Sequence, residues 1–180
     1  MGPKHPPTAT WTPEAHMAEV LVALGFDTDP EAARSAAGFV DFLSGLAPGR
    51  AAPELEILTT QSTDPVVLRE IPFQSLCAHH LVPFHGTATI AVRPAGRIAG
   101  LGGMVRLLHH HALRTQIQER LGATLASDLR LRLGAACVGV RLVARHLCLE
   151  MRGARTRAEV ETVAWAGEAD ELLQRLLLPG

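Results

Sequence analysis

Two short stretches of this chain gather side chains that bind metals and move protons. The first is Cys77-Ala78-His79-His80, inside the apolar run SLCAHHLVPFHG of residues 75–86; the second is His146-Leu147-Cys148. Cysteine sulfur and histidine nitrogen are the donors zinc prefers, and catalytic zinc commonly keeps three protein ligands and one open position. Cys77 and His80 stand three residues apart, so a single turn can present both to one ion. His146 and Cys148 stand two apart, the spacing that places side chains on one face of a strand. On that reading His146, Cys148, Glu150 and Arg152 form a polar wall, and Leu147, Leu149 and Met151 pack behind it. Four donors, Cys77, His80, His146 and Cys148, then compete for three positions. Taking Cys77, His80 and Cys148 as the ligands leaves His79 and His146 beside the ion as proton carriers. That division suits hydrolysis, because zinc brings the pKa of its water near 7, where imidazoles also titrate. Cys137, in GAACVGV, reads as a small buried hydrophobe. The triplet His109-His110-His111 covers too much of a helix circumference to make one metal face. It reads as a solvated or subunit-facing stretch.

The elements that must hold these groups follow from periodicity. Helical spacing over 13–24 puts Met17, Val20, Leu21 and Leu24 on one face, with Thr12 as N-cap and Gly25 as the stop. TDPEAARSAAGFVDFLSGL reads as a second helix, capped by Asp29, with Pro30 in its first turn and a stop at Gly45. PGRAAP is a loop. ELEILTT, PVVLREIPF and GTATIAVRP then alternate and are rich in β-branched residues, as strands are. GGMVRLLHHHAL and RTQIQERLGATLASDLRLRL return to helical spacing, with Leu113, Ile117, Leu121, Leu125 and Leu129 in one stripe. Gly122 inside that stripe costs about 1 kcal/mol against alanine, which points to a break or a close approach. ACVGVRLVARHLCLEMR reads as one long strand whose inward set changes phase near residues 143–145, the mark of a bulge. ELLQRLLL is a short terminal helix. The order α-α, β-β-β, α-α, β and a short tail defines an α+β class.

Composition narrows the function further. Of 180 residues 47% are hydrophobic and 19% charged, enough apolar material for a sizeable core. A net charge of −1 gives no pull toward nucleic acid or an anionic membrane, and no apolar run is long enough to span a bilayer. The start lacks the apolar segment of a secretory signal, and three widely spaced cysteines make no disulfide framework. Both observations predict a reducing cytoplasm. The expected organisation is a disordered arm over 1–12, a helical segment over 13–50 and a catalytic domain over 51–180.

The stretches IPFQSLCAHHLVPFHG, GLGGMVRLL, QIQERL and HLCLEMRG resemble, in this order and at this spacing, the motifs of the GTP cyclohydrolase I family. The resemblance is strong over about residues 65–157 and weak over the N-terminal helices. That family opens the imidazole ring of GTP to make dihydroneopterin triphosphate, toward folate and pterins. The resemblance implies Zn2+ held by Cys77, His80 and Cys148, and acid–base histidines at His79 and His146. It assigns purine recognition to Gln118 and Glu119, and phosphate contacts to Arg106 and Arg152. It also implies the tunnelling fold, a four-stranded antiparallel sheet with two helices on one face, here preceded by N-terminal helices. Subunits of that fold join as pentamers, and two pentamers stack as a homodecamer with sites between subunits.

The chain departs from the pattern in three places. Gly102 and Gly103 stand where the family usually has Ser-Lys, and Ala78 stands where it has Glu. The segment ARTRAEVETVAWAG carries fewer hydroxyls than the usual phosphate-facing run. A lost lysine–phosphate contact is worth on the order of 1.5–3 kcal/mol, although backbone N–H groups of GLGG at a helix start can also receive a phosphate. GLGGMV is too incomplete a glycine pattern to signal a dinucleotide. The expected function is zinc-dependent opening, at C8, of the imidazole ring of a guanine nucleotide or related purine. One alternative is a paralogue of secondary metabolism that acts on a purine without the triphosphate and stops before a pterin. Others are a sibling enzyme of the same fold with nitrile-reductase-like cysteine chemistry, and a non-catalytic zinc-containing binding subunit.

Overall fold

The change of period near residue 55 separates two kinds of structure, and the computed structural model divides the chain into two units, Met1–Ala47 and Pro48–Gly180. The structure describes residues 11–26, 31–46 and 51–178. The expected arm (up to residue 10), the cap Asp29-Pro30 and the start of the PGRAAP loop lie outside the described residues.

In the first unit, α1 (Pro13–Ala23) begins where the Thr12 side chain accepts the Ala15 N–H at 3.2 Å. Pro13 follows at the first helical position, where no N–H is needed. Gly25, at φ 87°, supplies the left-handed residue just past the helix end. Of the α1 face expected to be apolar, Met17 and Leu21 are half-buried while Val20 and Leu24 are exposed. α2 (Ala32–Gly45) buries Ala36 and Val40.

The second unit carries β1 (Ile57–Thr59), β2 (Val66–Cys77), β3 (Pro83–Arg93), β4 (Arg97–Ala99), α3 (Leu101–Ala112), β5 (Thr115–Gln116), α4 (Gln118–Leu133), β6 (Cys137–His146), α5 (Leu147–Glu150), β7 (Glu159–Ala166) and α6 (Glu171–Leu177). β2, β3, β6 and β7 form an antiparallel sheet in that order. The two-residue β5 joins it in parallel at the β2 edge, and β1 pairs separately with β4. Along each strand alternate residues face the helices: Ile71 and Phe73, then Phe84, Ala88 and Ile90, then Val138, Val140 and Leu142. They meet Met104, Leu107 and Leu108 of α3 and Leu121, Leu125, Leu129 and Leu133 of α4. Four antiparallel strands with two helices on one face are the tunnelling-fold arrangement. The other face is covered in part by α6, whose Leu173 and Leu177 pack on Ala91 and Cys137.

Gly122 marks the close approach that its position announced. A Cβ there would lie 3.4 Å from Ala164 Cβ and 3.7 Å from Leu142 Cδ1, so α4 sits tight on β6 and β7. Three expectations need correcting. The registers of β6 with β3 and β7 run unbroken, so no bulge lies near residues 143–145; the irregularity is in β2, between Leu68 and Ile71, where Glu70 takes φ 55°. The phase change in β6 arises because the strand stops at His146 and turns into α5. The helix read from residue 114 starts only at Gln118, because Thr115 and Gln116 pair with Leu76 and Cys77. EVETVAWA, which sequence reading left without a strand, is β7. Trp165 lies across Gly139 there, where even a Cβ would stand 2.3 Å from the indole.

Candidate metal centre and its surroundings

The first ligand pair is set by a turn locked through the backbone. β2 delivers Cys77 buried at its end, and Cys77 N–H donates to Val82 O at 2.9 Å to open the hairpin toward β3. His80 and Leu81 N–H both return to Cys77 O, at 3.3 and 2.9 Å, with Leu81 in the left-handed region at φ 53°. Ala78 N–H donates to Gln116 O at 2.8 Å, fixing the turn to the neighbouring edge. The turn therefore folds back on itself. His80 Nδ1 comes to 3.5 Å from Cys77 Sγ, and His79 Nδ1 to 4.0 Å.

The second ligand segment is a corner. β6 ends at His146, and Leu147–Glu150 forms one helical turn instead of continuing the strand. His146 and Cys148 therefore do not share a strand face as the spacing suggested. The backing row dissolves too, since Leu147 and Leu149 are half-buried and Met151 is exposed. The corner nevertheless carries Cys148 to the turn: donor atoms of Cys77, His80 and Cys148 all lie within 4.8 Å of one another.

That cluster fits zinc. A tetrahedral ion with bonds near 2.0–2.3 Å spaces its ligands about 3.5–3.8 Å apart, and the Cys77–His80 pair already stands in that range. Without a cation two sulfurs at this spacing repel as thiolates. Burial, then the hydrogen bond and the charge of Cys77, push the Cys148 thiol above its ordinary range. A dication reverses that balance, and two sulfurs with one imidazole are a donor set for a soft, tetrahedral metal.

His146, the last residue of β6, stands two residues before Cys148. Its ring stacks on Phe84, centroids 4.7 Å apart and planes at 3°. Its Nε2 lies 2.7 Å from Gln118 Oε1. The Gln118 amide nitrogen donates to Leu142 O at 3.1 Å and Val160 O at 2.9 Å, with Thr162 Oγ1 at 3.2 Å. Since carbonyls only accept, the amide oxygen must face His146, so Nε2 carries the proton and Nδ1 keeps its lone pair. Burial pushes the imidazole below its ordinary value, opposed by the nearby Glu119 carboxylate.

Of the residues singled out from sequence, the structure brings together Cys77, His79, His80, Cys148, His146, Gln118 and Glu119. Gln118 is buried with its amide fully committed inside the protein, whereas Glu119 is exposed beside it. Gly102, Gly103 and Arg106 lie together at the start of α3. Arg152 lies on the exposed loop after α5. Among the described residues no hydrogen bond or ion pair ties these four to the cluster. Sequence reading missed Phe84 as a ring platform and Arg145 as a partner of Glu150; neither residue type signals such a role alone. The histidine triplet reads from sequence as solvated or subunit-facing. His111 is instead buried and bonded to Asp128 at 2.9 Å, and His109 Nε2 donates to Pro72 O at 2.9 Å.

Fold and cluster together define an α+β protein with a three-donor Cys/His/Cys centre. The family model described as GTP cyclohydrolase I matches residues 13–175. A GTP cyclohydrolase 1 of Hyperthermus butylicus is 38% identical over 150 residues, covering 83% of this chain and 78% of that one. One of Corynebacterium glutamicum is 37% identical over 157 residues, covering 83% and 80%. The archaeosine synthase QueF-Like, solved in the apo form, is 18% identical, covers 61% of this chain and 100% of that one, and has a TM-score of 0.47, a likeness too loose to bear on the chemistry. The chain belongs to the GTP cyclohydrolase I family.

Proposed function

We propose that this protein is a zinc-dependent cyclohydrolase that opens the imidazole ring of a guanine nucleotide at C8. The observation that carries the proposal is the convergence of Cys77, His80 and Cys148, with His146 two residues from Cys148 and held by Gln118. Cys77, His80 and Cys148 would hold the zinc, which when bound supplies the acidifying centre that makes water nucleophilic near pH 7.

The remaining work falls to the chain's own side chains. Ring opening adds water at C8, takes one proton from it and delivers one to the departing ring nitrogen. His146 can take the first proton at Nδ1, because Nε2–H is already given to Gln118. His79, exposed on the ligand turn, is the second carrier. The Glu119 carboxylate is free to accept the N–H edge of guanine, while the buried Gln118 amide acts by orienting His146. Arg106 and Arg152 are the cations for phosphate. The proposal extends to a decamer of two pentamers, working in the cytoplasm.

One observation favours a second reading of the substrate. A Cβ at Gly102 would stand 3.3 Å from Arg106 Nη1, so the guanidinium lies over the glycines where the family has Ser-Lys. With one cation fewer, the triphosphate loses a contact while the ring-opening groups stay in place. A substrate with fewer phosphates follows, and with it a product that stops short of a pterin.

Zinc-loaded protein offered GTP, GMP, guanosine and guanine, with purine absorbance and formate followed, tests both readings. Loss of purine absorbance with formate release is expected for at least one of them. Conversion of GTP to a fluorescent pterin in preference to the others would remove the second reading. Zinc binding with no ring opening of any of the four would sink the enzymatic reading in favour of a binding subunit.

A further inference from the structure

The corner that carries Cys148 gains little stability from its own short helix, so side chains must fix its shape. A single helical turn is unstable by itself, because nucleation fixes several residues for one or two hydrogen bonds. α5 has four residues and no side-chain cap at His146; its backbone bonds are Met151 N–H to Leu147 O at 2.8 Å and Thr156 N–H to Leu149 O at 3.2 Å. What closes it is a forked ion pair. Arg145 Nε donates to one Glu150 oxygen at 2.7 Å and Nη2 to the other at 2.5 Å. The two ends differ in rigidity. Arg145 is fixed in the sheet, opposite His85 of β3 on one side and Glu159 of β7 on the other. Glu150 is the last residue of the turn, so the fork ties the turn to the sheet. His146 and Cys148 both lie inside the ring that it closes.

We infer that Arg145 and Glu150 are a positioning pair for the metal centre, holding the Cys148 sulfur within reach of Cys77 and His80. The inference rests on the metal-centre reading above. Forked guanidinium–carboxylate pairs fix direction as well as distance, and groups that orient metal ligands typically change affinity about 10–100-fold when removed. Other charges near the fork are Glu159 beside Arg145, with Arg157 and His85 beside Glu150. A lone Arg145 could therefore turn to Glu159, which is why both partners must be tested.

The test uses the full chain. Zinc affinity is measured by competition with a chromophoric chelator, and the thiolate-to-metal absorption is recorded after loading with cobalt(II). Arg145→Gln and Glu150→Gln are each expected to weaken zinc about tenfold or more and to lower the cobalt–thiolate band. Metal-free melting temperatures should move by no more than about 2 °C. The swapped double variant Arg145→Glu/Glu150→Arg, which restores the fork in reverse, should recover most of the affinity. Zinc affinity within twofold of the parent in both single variants would overturn the inference. So would a swap no better than the singles, or a metal-free melting temperature that falls enough to make the pair a general brace. A parent protein that binds no zinc would instead bring down the metal-centre reading itself.

Discussion

The corner between β6 and α5 and the first turns of α3 both carry residues to which the family resemblance gives a role in the reaction, and they are built in opposite ways. At the corner nearly every polar atom is spoken for. Gln118 satisfies two backbone carbonyls and one imidazole, Phe84 supports the ring, and Arg145 closes on Glu150. At the start of α3 no side chain caps the helix, Gly102 is exposed while Gly103 is buried with its N–H on Gly100 O at 2.9 Å, and Arg106 lies exposed over the glycines. Dense bonding preserves the geometry that a proton transfer needs; an open helix start tolerates different anions. On the proposed function, the contrast makes the bond-breaking chemistry the fixed part of this protein and the grip on phosphate the variable part.

Breaking the dense region gives the largest effect. Gln118→Met keeps the volume but removes both the acceptor for His146 and the donor for Leu142 O and Val160 O. The imidazole is then free to rotate and to change tautomer. We expect kcat for ring opening to fall about a hundredfold, at the low end of what acid–base catalysis contributes, with KM moving less than about threefold. Losing the side-chain donor to Leu142 O and Val160 O should also cost about 1 kcal/mol of stability, read by denaturant unfolding. A kcat within threefold of the parent would show that the corner is less committed than its hydrogen bonds suggest.

The open region should respond in the other direction. The atom nearest to a Cβ at Gly103 is the end of a side chain, Leu55 Cδ2 at 3.2 Å, which can yield, with Arg106 Nη2 and Leu55 Cα in ordinary contact at 3.9 Å. Gly103→Lys restores a cation beside the helix start. It should lower KM for GTP about tenfold while leaving guanosine unchanged, the size expected of one charge-assisted contact. Steady-state kinetics on the two substrates decide it. An unchanged ratio of their kcat/KM values would mean that Arg106 already satisfies the phosphate at this end of α3.

What could be read from the sequence divides along the same line. The donors at Cys77, His80 and Cys148 were legible because cysteine and histidine are scarce and their chemistry travels with the residue type. The core stripes from Leu121 to Leu129 and along β2 and β3 were legible because burial imposes a period. The strand end at His146 was not, since nothing local stops VARHLCLE from alternating. It is stopped by partners distant in sequence, Gln118 and Phe84, and by the fork of Arg145 with Glu150. β7 was legible and overlooked, since Glu159 and Glu161 alternate with half-buried Val160 and Thr162 as an edge strand does. His111 looked solvated because its partner, Asp128, is seventeen residues further on in another helix.

That pair supplies the smallest effect and a control on the comparison. The far end of α3 is pinned: His109 holds Pro72 O, and His111 shares Asp128 with Arg132, whose Nε donates at 2.7 Å. Burial alone would raise the Asp128 carboxyl, but the hydrogen bonds from Arg132 and His111 outweigh it and hold it below the ordinary carboxylate value. The unfolded chain therefore takes up this proton more readily than the folded one. The stabilisation is complete above the ordinary value and is lost as pH falls through the lowered one. Asp128→Asn should make stability less steep in pH across that acid window, measured by urea unfolding at a series of pH values. Ring opening at pH 7 should change less than about twofold, because the bonds broken lie at the opposite end of α3 from Gly102 and Gly103. An unaltered acid slope would remove Asp128 from the account of stability. A KM for GTP that shifts severalfold would mean that the openness at the start of α3 belongs to the whole helix, and the contrast between the two regions would have to be redrawn along its length.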